Sequence, residues 1–156
     1  MAQYIEKTIH VYAPAAVVWE YLTRPSLILQ WMGDPEMKLN IQTDWKVNSP
    51  IRISGFHPRH FENKGVVLQF QPPLLLQYTH LSSVSGLEDR PENHSVLTFT
   101  LTPTEAQTLL SLTLTQFPTE AIRKHLEFYW GTTLYFIKAF AEKQSEVQPQ
   151  NLSTDS

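Results

Sequence analysis

The sequence predicts an α+β domain: a curved antiparallel sheet of about six or seven strands wraps around one long C-terminal helix, with two short helices after the first strand. Three observations predict it. Short runs alternate apolar and polar residues between turn signals, the period-2 pattern of half-buried strands. Two helical pieces between Ala13 and Met32 are hinged at Arg24-Pro25. One long apolar segment, residues 119 to 143, repeats at spacings of three and four.

The first strand occupies residues 3 to 12, where Ile5, Ile9 and Val11 share one parity and Glu6, Thr8 and His10 the other. Pro14 suits a first helical turn, where a missing N–H costs nothing, and Pro25 ends that helix and opens the next. The two pieces therefore bend as a clasp that sets Val18, Trp19, Leu22, Leu29 and Trp31 against the sheet. Strand-like runs follow at Met37 to Gln42 and Trp45 to Ser54. The second is interrupted by Pro50, which cannot donate to a ladder and implies an edge or a bulge. Gly65 to Gln71 and Leu74 to Leu81 flank the Pro72-Pro73 turn, and Ser82 to Asn93 is polar and turn-rich, an expected exposed loop. Leu97, Phe99 and Leu101, then Leu110, Leu112 and Leu114, alternate with Thr and Ser in the last two strands.

Thr119 is placed to cap the long helix, with Glu120 near its positive end. Ile122, Leu126, Tyr129, Thr133, Phe136, Ile137 and Phe140 form the expected inward stripe. Phe128, Trp130, Leu134 and Tyr135 lie off it, so either the clasp or a second subunit, making a homodimer, is expected to cover them. A single domain over residues 1 to 143 is expected, followed by a disordered polar tail, 144 to 156.

Hydrophobic residues make up 42% of the 156 and aromatic ones 12%, including four Trp and eight Phe, enough to build or line a broad apolar interior. A net charge of -3 without a Lys/Arg run disfavours nucleic acid. No stretch approaches the roughly 20 apolar residues of a membrane span, and the N-terminus carries no signal-peptide core, so a cytoplasmic location is expected. The absence of cysteine removes thiolate metal sites and cysteine nucleophiles.

Several residues carry a more specific pattern: Ile9 with Pro14, Val18, Trp19, Leu22, Thr23, Pro25, Leu29 and Trp31; then Asp44-Trp45-Lys46-Val47 leading to Ile51-Arg52; then Trp130 with Leu134, Ile137 and Glu142. With the element order, they resemble the START-like or Bet v 1-like helix-grip superfamily (SRPBCC), most closely the branch homologous to the C-terminal domain of Hsp90 ATPase activators. The resemblance implies a cavity between the curved sheet and the last helix, in a superfamily that includes lipid and hormone binders, polyketide cyclases and co-chaperones. The chain departs from the branch at Met32, where a second Trp is common, and at Asn48 and Tyr129, where Gly is common. The bulk of Tyr129 would fill space otherwise open.

Candidate ligand-contacting residues are Trp31 and Met32 at the clasp's far end, Arg52, Phe70, Tyr78, His80 and Phe99 on the strands, and Tyr129, Thr133, Phe136 and Phe140 on the helix. The same aromatics would equally fill a solid core. His80 shares parity with Leu76 and Tyr78, so it points inward either as an acid, base or ligand partner or as a hydrogen-bonded core histidine. Arg52 has the parity opposite Ile51 and Ile53 and reads as a surface charge unless the Pro50 bulge turns it inward toward a carboxylate. His57-Pro58-Arg59-His60 lies in a turn with no third ligand specified, and His10, His94 and His125 read as solvated, so no metal site is expected. No cofactor fingerprint or catalytic constellation appears. The leading expectation is binding of a small hydrophobic, aromatic or lipid-like ligand. A co-chaperone-like module that binds a chaperone, and a cyclase- or hydrolase-type enzyme using His80 and Tyr78, are the alternatives.

Overall fold

In the computed structural model, residues 3–56 and 59–155 are described, with side chains to Glu146. The strands are β1 (Tyr4–Val11), β2 (Asn40–Gln42), β3 (Pro50–Phe56), β4 (His60–Gln71), β5 (Leu75–Ser82), β6 (Ser95–Thr104) and β7 (Gln107–Thr115). They form one antiparallel sheet in the order β1-β7-β6-β5-β4-β3-β2. The helices α1 (Ala15–Thr23) and α2 (Pro25–Met32) follow β1, and α3 (Glu120–Asp155) closes the chain. This is the helix-grip arrangement, and α3 continues beyond Lys143, where the sequence pattern ends it.

Register places the core. Ile5 opposes Leu114, Leu114 opposes Leu97, Leu97 opposes Tyr78 and Tyr78 opposes Val67, so one buried row crosses five strands on the concave face. Helix α3 lies over that face, its Leu126, Trp130, Leu134, Ile137 and Ala141 buried. The buried stripe is rotated from the expected one. Trp130 and Leu134 point inward, covered by the clasp, whereas Phe136 is 49% exposed. Phe128 and Tyr135 face outward at 78% and 63% exposure.

The clasp is anchored by hydrogen bonds to backbone carbonyls. Trp31 Nε1 donates to the Tyr21 carbonyl at 2.8 Å, crossing the Arg24-Pro25 hinge from α2 back to α1. Trp45 Nε1 donates to the carbonyl of Thr23, the last residue of α1, at 2.6 Å. Thr108 Oγ1 on β7 donates to the Ala13 carbonyl at 2.8 Å, fixing the chain where it enters α1. At the start of α3, Thr119 Oγ1 accepts from Ile122 N–H at 3.1 Å, the N-cap its sequence position predicts.

Three details correct the expected strands. Trp45 lies in a loop with φ 58°, not in a strand, and a 3₁₀ turn at Pro35–Met37 replaces the start of the preceding run. Pro50 is the first residue of β3, where a missing donor is tolerated, and the register irregularity falls in β4 between Val67 and Gln69. Asn48 has φ 72°, a left-handed conformation that glycine adopts freely and asparagine tolerates.

Candidate functional site

A cavity of about 370 Å³ lies between β3–β6 and the N-terminal half of α3. Its apolar wall includes Met37, Leu39, Ile53, Leu97, Leu126 and Trp130. The strands contribute Asn63, Tyr78, His80, Ser82 and Ser95, and α3 contributes Ile122, His125 and Tyr129. Met32 closes one edge, and Val84, Ser85 and Asn93, from the loop between β5 and β6, the other. That loop contains two 3₁₀ turns, Ser83–Ser85 and Pro91–Asn93.

Of the sequence candidates, Met32, Tyr78, His80 and Tyr129 line this cavity. The others lie elsewhere. Trp31 is buried at the hinge against Trp130, with ring centroids 5.9 Å apart, so it is packing rather than mouth. Phe70 packs between Trp19 and Trp45, at 5.3 and 5.8 Å, and Phe99 is 1% exposed in contact with Tyr78 and Trp130. Thr133 is buried beside the cavity lining rather than in it, and Phe140 stacks on Tyr21 at 6.4 Å. Phe136 points to solvent, and Arg52 is exposed on β3, where the strand has no bulge to turn it inward. The aromatic excess is thus divided. A continuous chain of rings from Trp19 through Phe70, Trp45, Tyr78 and Phe99 to Trp130 fills one end of the interior, and the cavity occupies the other.

Three titratable groups of the cavity wall are held neutral. Burial pushes the His80 imidazole down to about 4, with smaller contributions from His125 and His94. Burial raises the Tyr129 phenol to about 12 despite the opposing hydrogen bond with Thr133, and raises Tyr78 still further. At neutral pH all three are therefore uncharged. Tyr129 also donates to the Met32 carbonyl at 3.1 Å.

Sequence reasoning missed Asn63 and His125. Asn63 lies in the first half of β4, where the run His60 to Lys64, polar except for Phe61, gives no strand signal, and its Oδ1 is buried without a hydrogen-bond partner among the described residues. His125 is exposed yet borders the cavity, because it lies one turn before Tyr129 and its ring stacks on that phenol at 6.4 Å. His94 is buried instead of solvated. Its Nε2 meets Asp89 Oδ1 at 2.7 Å and its Nδ1 meets Thr79 Oγ1 at 2.9 Å, which ties the loop to the outer face of the sheet. His57 and Pro58 lie outside the described residues. Among the described residues no group of three or more His, Asp or Glu could hold a metal ion, and no helix is long and apolar enough to cross a membrane.

The model of the family described as activator of Hsp90 ATPase homolog 1-like protein matches residues 12–142, which include the clasp, the whole cavity and the buried part of α3. The chain belongs to this family. A solved structure from Cytophaga hutchinsonii is similar at 34% identity and a TM-score of 0.76, over 93% of this chain and 97% of that one. The fold also matches a Chromobacterium violaceum protein, at 20% identity and a TM-score of 0.73 over 89% and 96% of the two chains. A structure described as the Aha1 dimer from Colwellia psychrerythraea matches at 19% identity and 0.70, over 90% and 96%. No curated protein matches the chain. As a member of the Hsp90 ATPase activator homolog 1-like family, the chain carries its bulky Tyr129 on the cavity wall, so that side chain occupies volume a smaller residue would leave open.

Proposed function

We propose that this member of the family binds a small hydrophobic, aromatic or lipid-like molecule in the cavity between sheet and α3. The carrying observation is the cavity itself: at about 370 Å³ it falls within the roughly 300–1000 Å³ of small-molecule sites, with mostly apolar walls and a few polar groups. Cavities lined by large side chains forgo packing energy, so one of this size favours an occupant over a filled core. Native mass spectrometry of the purified protein, followed by thermal shifts against a lipid and aromatic library, tests the reading. A ligand at a hundred times its Kd should raise Tm by about 5–10 °C. A library in which no member raises Tm sinks it.

The family match favours a second reading, docking onto an Hsp90-type chaperone. It predicts co-purification with the chaperone and a change in its ATPase rate on addition of this protein. Absence of both removes it.

A further inference from the structure

The charge this cavity can acquire has one sign. Its ionisable side chains are Tyr78 and His80 on β5 and His125 and Tyr129 on α3, and among the described residues the lining holds no Lys, Arg, Asp or Glu. Burial keeps both phenols protonated far above neutral pH, so neither supplies a negative charge. The two imidazoles can only become positive. An ammonium ligand would find no counterion here, whereas an acid can find one by bringing a proton with it.

His80 is the imidazole placed to take part. It is half-buried, it shares the inward parity of Leu76 and Tyr78, and its ring makes no hydrogen bond to any described residue. Nor are its nitrogens sealed from the space: among the described residues the enclosed, unpartnered side-chain polar atom is Asn63 Oδ1, not an atom of His80. The lone pair of a neutral imidazole accepts a carboxylic O–H, and a protonated ring donates to a carboxylate. His125 stands at the rim, exposed, with its ring against Tyr129. His94 lies on the outer face of the sheet, where Asp89 holds it.

We propose that the ligand of this cavity is a weak acid with an apolar body, an aromatic or fatty carboxylic acid, bound together with one proton that is held between its carboxyl group and His80. This rests on the cavity being a ligand site and names the ligand's class. Near neutral pH such an acid is ionised in solution and His80 is uncharged in the empty protein, so the shared proton is drawn from solvent. Whether the proton sits on the carboxyl oxygen or on the imidazole nitrogen, acid and His80 together carry no net charge. That is the combination a mostly apolar enclosure favours.

Two probes on one ring skeleton, 2-naphthoate and its uncharged counterpart 2-naphthamide, are titrated calorimetrically between about pH 5.5 and about pH 7.5, where a free carboxyl is ionised. The naphthoate affinity is expected to fall about tenfold per pH unit, and that of the amide to change less than about threefold. In His80→Gln the naphthoate slope should vanish while the amide still binds, and in His125→Gln the slope should persist. In the wild-type protein the His80 ring resonances should shift on saturation with naphthoate and far less with the amide. A naphthoate affinity independent of pH, or binding of the amide alone, overturns the acid class and leaves the ligand site standing. Binding of neither compound removes both. A slope that survives in His80→Gln, or His80 resonances that naphthoate leaves in place, overturns the part given to His80.

Discussion

The Tyr129 hydroxyl donates to the Met32 carbonyl at 3.1 Å, so the cavity wall on α3 is tied to the last residue of α2. One side chain thereby lines the cavity and holds the clasp against the helix it covers. Removing only the hydroxyl, in Tyr129→Phe, should destabilise the fold by about 1 kcal/mol, the net value of a typical hydrogen bond. Tyr129→Ala should cost about 3–5 kcal/mol and enlarge the cavity. Urea melts measure both, and tighter binding of a bulkier probe by the alanine variant checks the enlargement. An unchanged ligand size limit would place Tyr129 outside the working volume.

Stability should depend on pH through His80. Unfolded, its imidazole titrates near the ordinary value of about 6.5. In the folded protein it resists protonation down to about 4, so between these values the unfolded chain binds more protons. Stability is then complete above about pH 6.5 and falls as pH drops toward 4, by on the order of 2–3 kcal/mol. The Asp89 carboxyl, held below its usual range by the hydrogen bond from His94, acts only at lower pH, where its protonation removes that contribution. Denaturant melts across this range should show the loss in wild type and a flatter profile in His80→Leu. An equally steep profile in the variant would assign the effect to another group.

Two glycines should respond oppositely to alanine. A Cβ on Gly65 would fall 1.8 Å from the Thr79 carbonyl oxygen, in backbone that cannot move aside, so Gly65→Ala should destabilise by about 1–3 kcal/mol or more. A Cβ on Gly131, within α3, would meet only the end of the Lys7 side chain at 3.5 Å. Gly131→Ala should therefore stabilise by about 0.5–1 kcal/mol through helix propensity. Tm shifts of opposite sign are the expected result.

Thr108 is fully buried and gives its hydroxyl to the Ala13 carbonyl. Thr108→Val keeps the shape and leaves that carbonyl unpaired, at a cost of about 1–3 kcal/mol. Thr108→Ser keeps the donor and should cost less. If the two variants melt alike, the hydrogen bond is not what holds the entrance to α1.

Most of the scaffold is legible in one dimension because its causes are local. The proline at position 25 separates α1 from α2, Thr119 caps α3, and the alternation around Leu97 to Leu101 and Leu110 to Leu114 writes β6 and β7 directly. The signal fades where a residue's surroundings come from distant segments. Asn63 belongs to the first half of β4, which lacks the apolar alternation of Val66, Leu68 and Phe70, and is placed by pairing with Ser82 and Ile53. Phe136 has the helical spacing of a core residue, yet the rotation of α3 against the sheet turns it to solvent.

By itself the sequence determined the element order, the hinged clasp and the inward parity of Tyr78 and His80, since propensity, capping and alternation act within a few residues. The tertiary structure alone decided which aromatics pack and which line a cavity, that Trp31 is buried at the hinge, and that Asn63 and His80 share the cavity wall. Burial, and with it the neutrality of His80, is a property of how separate elements meet, and local sequence does not encode that meeting.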